Sequence, residues 1–222
     1  TLIHVANGVY EFCPKDEMRN QFELPDFIKK MSKNKWLGDK TKQGFYKKSK
    51  DENGKRVIES LNLKTLEYAP KQKVKFATIG IARQEDDLKK RLKILIKGKD
   101  KAGEFYRKSF YSTFAYVSHR IPEISDDLYK IDRALKAGFG WELGPFEMWD
   151  ILGVEKSLSK MKEAGFDSAS WVAEMIESGT TSFYSTNDGE LNYYNIPEKK
   201  SENVPGMENF IILDQIRENN TV

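Results

Sequence analysis

Ile131-Asp-Arg-Ala-Leu-Lys-Ala-Gly-Phe-Gly-Trp-Glu-Leu-Gly-Pro-Phe-Glu-Met-Trp-Asp-Ile-Leu-Gly153 is the stretch that decides the fold. It reads as an amphipathic helix, a glycine-punctuated aromatic loop and a second helix. Gly144 is placed to be the N-cap. Pro145 stands at the first helical position, where its missing N–H costs nothing, and Glu147 at the third, where a carboxylate meets the positive end of the helix dipole. Gly153 closes the helix. Aromatic side chains beside Gly138, Gly140 and Gly144 predict a tightly packed junction, with backbone approaching backbone and Phe146 pointing into the turn made by Gly138 and Gly140.

Working outward, the pattern predicts helices over 1–12 and from Leu24-Pro25 to about Asn34, then over 62–67, 72–80, 85–97, 101–119, 126–137 and 154–164. Phe105, Phe110, Phe114 and Val117 are expected to give the helix over 101–119 a broad apolar face, and Ser125 to cap the next one. Residues 36–44 read as a loop. Phe45–Lys48 and Arg56–Glu59 flank Asn53-Gly54, whose positive φ angles suit a tight hairpin, and Phe183-Tyr184 with Leu191–Tyr194 repeat that device around Asp188-Gly189. The fold class is therefore mainly α, with small β-hairpins.

The chain also repeats itself. Phe27-Ile28, Met31, Gly44-Phe45-Tyr46 and Gly54 recur in order as Trp171-Val172, Met175, Ser182-Phe183-Tyr184 and Gly189. Residue 1 aligns just after Gly153, so the first copy lacks the counterpart of the 138–153 junction. We expect a truncated first repeat over 1–69, a second over 70–195 and a solvated linker over 196–222. That linker contains the apolar run Phe210-Ile-Ile-Leu213. Both ends read as cut ends within a longer protein.

Composition narrows the function. The 222 residues, 39% hydrophobic and 12% aromatic, are enough for a sizeable core. With 37 basic residues against 34 acidic the formal charge is only +3, which argues against a dedicated nucleic-acid binder. No apolar stretch approaches the roughly 20 residues of a membrane span, and no signal peptide opens the chain, so a cytoplasmic location is expected. The lone Cys13 offers neither a disulfide nor a cysteine metal cluster. His4, among Leu2, Ile3 and Val5, reads as a packed helix residue, and His119 as a cation at a helix C-terminus. Gly138-x-Gly140 follows a helical pattern and has Leu143 where a third glycine would stand, so it reads as a packing loop and not as a dinucleotide-binding turn.

The 131–153 stretch, with Glu123-Ile124 and Trp36-Leu-Gly-Asp-Lys-Thr-Lys-Gln-Gly-Phe-Tyr-Lys47, resembles the C-terminal helical domains of 3-hydroxyacyl-CoA dehydrogenases, above all the long bacterial form fused to an enoyl-CoA hydratase. The resemblance runs over about residues 1–195 and implies tandem C-terminal-type helical repeats. It also implies a parent enzyme of fatty-acid β-oxidation. In that parent a Rossmann domain, missing from this chain, holds NAD and supplies the catalytic His and Glu; the chain itself is expected to bind no cofactor and to carry no catalytic or metal-binding residue. Its partners would be acyl-CoA through the parent enzyme, the Rossmann domain, a hydratase-like domain beyond the linker, and a second copy in a homo-oligomer or pseudo-dimer.

Two sets of contacts are expected within this frame. Lys40 and Lys47, with Lys42, Lys48 and Lys50, form a basic loop that suits the phosphates of CoA or, alternatively, a solvated hairpin surface. Phe139, Trp141 and Phe146, with Trp149, suit the wall of an acyl-chain pocket or the core between helices. Gly44, Phe45 and Tyr46, together with Gly138, Gly144, Pro145 and Glu147, are expected to be structural. The alternative to an enzyme fragment is a non-catalytic helical protein-interaction module.

Overall fold

The computed structural model describes residues 2–187 and 189–207. Residue 1, Asp188 of the second expected turn and the run Phe210–Leu213 lie outside the described residues. The chain divides into two compact units, Thr1–Val74 and Lys75–Val222. It is mainly α, with two small three-stranded antiparallel sheets.

The first unit contains α1 (Leu2–Phe12), a 3-10 turn at Arg19–Phe22, α2 (Asp26–Lys33) and a second 3-10 turn at Asp39–Thr41. The sheet β1 (Tyr46–Lys50), β2 (Arg56–Leu61) and β3 (Tyr68–Pro70) follows. Asp51 accepts the amides of Asn53 and Lys55 at 3.0 and 2.9 Å, and Gly54 takes φ +73°, so the β1–β2 turn closes as the sequence suggests. The helix expected over 62–67 is instead a turn. Asn62 turns its side chain on the amides of Lys64 and Thr65 at 3.0 and 3.4 Å, a local bond that competes with helix formation and returns the chain as β3. α1 has no buried residue, and His4 is exposed rather than packed.

The second unit contains α3 (Ala77–Ala82), α4 (Leu88–Lys97), α5 (Lys101–His119), α6 (Leu128–Phe139), α7 (Pro145–Leu152), α8 (Val154–Glu163) and α9 (Ser170–Glu177), then β4 (Tyr184–Asn187), β5 (Glu190–Asn195) and β6 (Lys200–Asn203). Two helices, α3 and α4, start later than the pattern predicts, and each start is set by a carboxylate. Asp87 accepts the amides of Lys89 and Lys90, which begins α4 at Leu88. Asp100 accepts the amide of Gly103 and also that of Thr78, so one side chain caps both α5 and α3.

Ser125 does not cap α6. Its hydroxyl donates to the carbonyl of Asp127 at 3.0 Å and accepts the Asp127 amide at 3.3 Å, so it is spent just outside the helix. Phe105 is 65% exposed: it precedes the fully buried Phe114 by nine residues, about two and a half turns, and so faces the opposite side. Part of the expected linker is a strand. Ser201 and Glu202 of β6 pair with Tyr194 and Tyr193 of β5, and Val204 behind them is buried. A polar edge strand of this kind leaves no run of alternating apolar residues to find in sequence.

The core of the second unit is aromatic. Phe114 of α5 stacks on Trp149 of α7 with centroids 5.0 Å apart, and Phe183 packs against both Phe146 and Trp149 at 5.0 and 5.2 Å. Val172 and Met175 of α9 and Met161 of α8 are fully buried around them.

Candidate functional site

The junction that decides the fold is organised by two aspartates. Asp132, inside α6, is 1% exposed and accepts the amides of Phe146 and Glu147, both at 3.0 Å. These are orphan donors at the start of α7, so Asp132 supplies from another helix the cap that a glycine N-cap cannot. Gly144 makes this possible: a Cβ there would lie 2.2 Å from Asp132 Cγ. Glu147 completes the terminus, accepting the Gly144 amide at 2.6 Å while Lys136 Nζ donates to its other oxygen at 2.6 Å.

Asp150 does the same for the sheet. Its two oxygens accept the amides of Phe183 and Tyr184 at 2.8 and 2.9 Å, and Tyr184 Oη in turn donates to Asp132 Oδ2 at 3.0 Å. One network therefore joins α6, α7 and β4. Burial raises both carboxyls, Asp132 and Asp150, to about 7, against the opposing pull of the backbone amides. Burial followed by the neighbouring Asp132 also raises the Tyr184 hydroxyl. The oxygens of both aspartates are taken up by protein donors, and neither residue lines any of the cavities described below. Chemically they hold the helix and sheet termini.

The sequence pattern alone does not single out either aspartate, although a signal exists. Asp150 stands in the last turn of α7, where a carboxylate opposes the helix dipole, and Asp132 is a poor helix former in mid-helix. Such placements need a compensating partner.

The expected contact residues are spread over both units. Trp141, 40% exposed, lines an apolar groove of about 490 Å³ in the second unit with Leu92, Phe105, Phe110 and Met148. Phe139 is 74% exposed and lies outside that groove. Phe146 and Trp149 are fully buried in the core. Gly138 and Gly140 do not form the close junction expected of them, since nothing stands within 4 Å of a Cβ at either; the close approach is at Gly144, and Phe146 points to Phe183 and Trp171. The need for Gly140 is conformational, because it ends α6 at φ +68°. At a helix C-terminus the backbone presents carbonyls, so these glycines do not fit a dinucleotide pyrophosphate.

In the first unit Lys47 lines a cavity of about 720 Å³ with Lys42, Lys48, Lys71, Tyr46 and Ile58, and its ammonium lies 3.9 Å from Glu59. Lys40 is exposed in the 3-10 turn and outside that cavity. Gly44 packs against Gly38, with room for no Cβ, while Phe45 and Tyr46 are 45% and 57% exposed. His119, at the end of α5, has Nε2 3.2 Å from the carbonyl of Asp167. Cys13 is free and exposed. Among the described residues no helix is long and apolar enough to cross a membrane, and no group of three or more His, Cys, Asp or Glu could hold a metal ion.

Comparison with known proteins gives the relationship. The chain is 38% identical over 201 residues to a probable 3-hydroxyacyl-CoA dehydrogenase of Bacillus subtilis strain 168, a match that covers 90% of this chain and 25% of that protein. It is 29% identical over 137 residues to a fatty acid oxidation complex trifunctional enzyme of Rickettsia felis, covering 62% of this chain and 17% of the relative. A protein of the same description in Rickettsia prowazekii is 26% identical over 148 residues. No family model and no solved structure matches. The chain thus spans about a quarter or less of the length of these relatives. Over nine-tenths of its length, this chain is homologous to a protein of the 3-hydroxyacyl-CoA dehydrogenase family.

Proposed function

We propose that the chain is the C-terminal helical portion of an NAD-dependent 3-hydroxyacyl-CoA dehydrogenase of fatty-acid β-oxidation, where it encloses acyl-CoA and mediates association. The observation that carries this reading is the 38% identity over 90% of the chain to a protein of that description. Within it, the groove beside Trp141 receives part of the acyl chain, with Phe146 supporting the helix from the core and Phe139, exposed outside the groove, offering a further apolar contact. Lys47, and Lys40 beside it in sequence, meet the CoA phosphates. NAD belongs to the Rossmann domain of the parent enzyme, since the glycines of this chain do not fit it.

Association follows from exposed apolar surface. Leu2 and Val5 of α1 are 73% and 52% exposed, and Phe45 and Tyr46 are open as well, which suits packing against a second copy or the Rossmann-bearing part of the parent. The same surface also favours the second reading, a helical interaction module without an enzymatic parent.

Kinetics of the whole protein that carries this chain decide between them. With a 3-hydroxyacyl-CoA and NAD it should form NADH, and Trp141→Ala should raise KM for long acyl chains more than for short ones. The isolated chain should neither turn over nor bind NAD in calorimetry. No NADH from the whole protein, or turnover by the isolated chain, would overturn the proposal. Sedimentation adds a check: Leu2→Glu with Val5→Glu should lower self-association, and a monomer in both forms would exclude α1 as the contact.

A further inference from the structure

The basic residues of α4 and α8 meet in one place. Lys93 and Lys97 of α4, Lys99 of the turn that follows, Arg107 of α5, and Lys156 and Lys160 of α8 line one cavity of about 580 Å³, and among the described residues no acidic side chain lines it with them. The fold brings cations from separate helices to a shared concavity.

These lysines differ from many others in the chain. Lys90, Lys108, Lys130 and Lys199 each stand within 4.0 Å of a carboxylate. Lys93, Lys97, Lys99, Lys156 and Lys160 have no such partner among the described residues. Lys93 and Lys97 are four apart on α4, and Lys156 and Lys160 four apart on α8, the spacing at which like charges destabilise a helix.

Arg107 fixes the cavity floor. Its Nη1 donates to the carbonyl of Ile96 at 3.0 Å and to that of Gly98, satisfying the C-terminal carbonyls of α4 that the lysines could otherwise have used. Its remaining N–H groups have no protein partner among the described residues. The wall is held closely: Gly98 and Gly103 approach so nearly that a Cβ on Gly103 would lie 2.1 Å from the Gly98 carbonyl oxygen. Ile96, Leu152 and the ring of Tyr111 supply an apolar side to the same space.

We propose that this cavity binds a small organic polyphosphate. Ammonium groups act as point charges for phosphate, the guanidinium adds directed donors, and the volume lies in the range of small-molecule sites, about 300–1,000 Å³. The apolar wall accommodates the organic part. The proposal is independent of the acyl-CoA reading, which places CoA phosphates at Lys40 and Lys47 in the other unit.

Calorimetry on the full chain at low salt tests it, with ADP, inorganic tripolyphosphate, citrate and a short DNA duplex as probes. ADP and tripolyphosphate should each bind once per chain, ADP owing part of its affinity to the apolar wall and citrate binding least. Lys156→Gln with Lys160→Gln should weaken ADP about tenfold, the loss of two solvent-exposed charge contacts. Lys55→Gln with Lys64→Gln removes the same charge elsewhere and should change it less than about twofold. Binding that is unsaturable, or equally weakened by both pairs, would show diffuse attraction and refute the site. Tighter binding of the duplex than of ADP, lost in the Lys156 and Lys160 variant, would also refute it, in favour of a nucleic-acid surface.

Discussion

The two units place similar elements in different surroundings. α2 and α9 are both eight residues long and end with a left-handed residue, Lys35 at φ +59° and Gly179 at φ +90°. Each hairpin is followed by an asparagine turn, Asn62 to Leu66 and Asn195 to Lys199, that leads into a third antiparallel strand. Yet Phe183 is fully buried where Phe45 is 45% exposed, and Val154 and Met161 of α8 are buried where α1 buries nothing. The difference lies in what stands above the hairpin. In the second unit α5, α6 and α7 provide an aromatic floor and two aspartates; among the described residues of the first, no carboxylate accepts the amides of Phe45 and Tyr46. Local sequence builds the strand and turn in both copies, and burial depends on the helical cover.

The largest contrast should come from the paired phenylalanines. Phe183→Ala removes a ring packed against three others and should cost about 3–5 kcal/mol, whereas Phe45→Ala should cost less than about 1 kcal/mol, read as shifts of denaturant midpoint at constant slope. Equal losses would break the comparison.

Asp150→Asn comes next. It replaces one acceptor oxygen by a donor facing an amide, and should cost about 1–3 kcal/mol at pH 5. The pH dependence sharpens the test. The folded-state pKa of Asp150 is raised to about 7 from 3.8, so the folded state holds its proton more strongly, and wild-type stability declines as pH rises from about 4 to about 7. The asparagine side chain of the variant has no proton to release, so the gap between variant and wild type should narrow across that window. A gap that widens towards pH 8 would mean that Asp150 works as a stabilised carboxylate.

Glu147→Gln should have the smallest effect, at most about 1 kcal/mol, because the amide can still accept the Gly144 N–H and the Lys136 contact is partly solvated.

Much of this was legible in sequence because it is local. Pro145 with Glu147 marked the start of α7, and Asn53-Gly54 marked a turn. What escaped depends on partners far along the chain. Asp100 sets the start of α3 from 22 residues away, and Asp150 reaches the amide of Phe183 across 33. β6 is polar and its pairing leaves no period to read, and Gly138 resembled a packing glycine although the contact is made by Gly144. For the candidate site, Trp141 and Lys47 do line cavities, but Phe146 shows that an aromatic residue in a motif can belong wholly to the core.

Amide hydrogen exchange at four residues tests the central claim most directly, that helical cover and the Asp150 carboxylate, not the hairpin itself, protect this edge. The amides of Phe183 and Tyr184 should exchange only through global unfolding, at least about a thousandfold more slowly than those of Phe45 and Tyr46 relative to their intrinsic rates. Similar protection at both pairs would contradict the account.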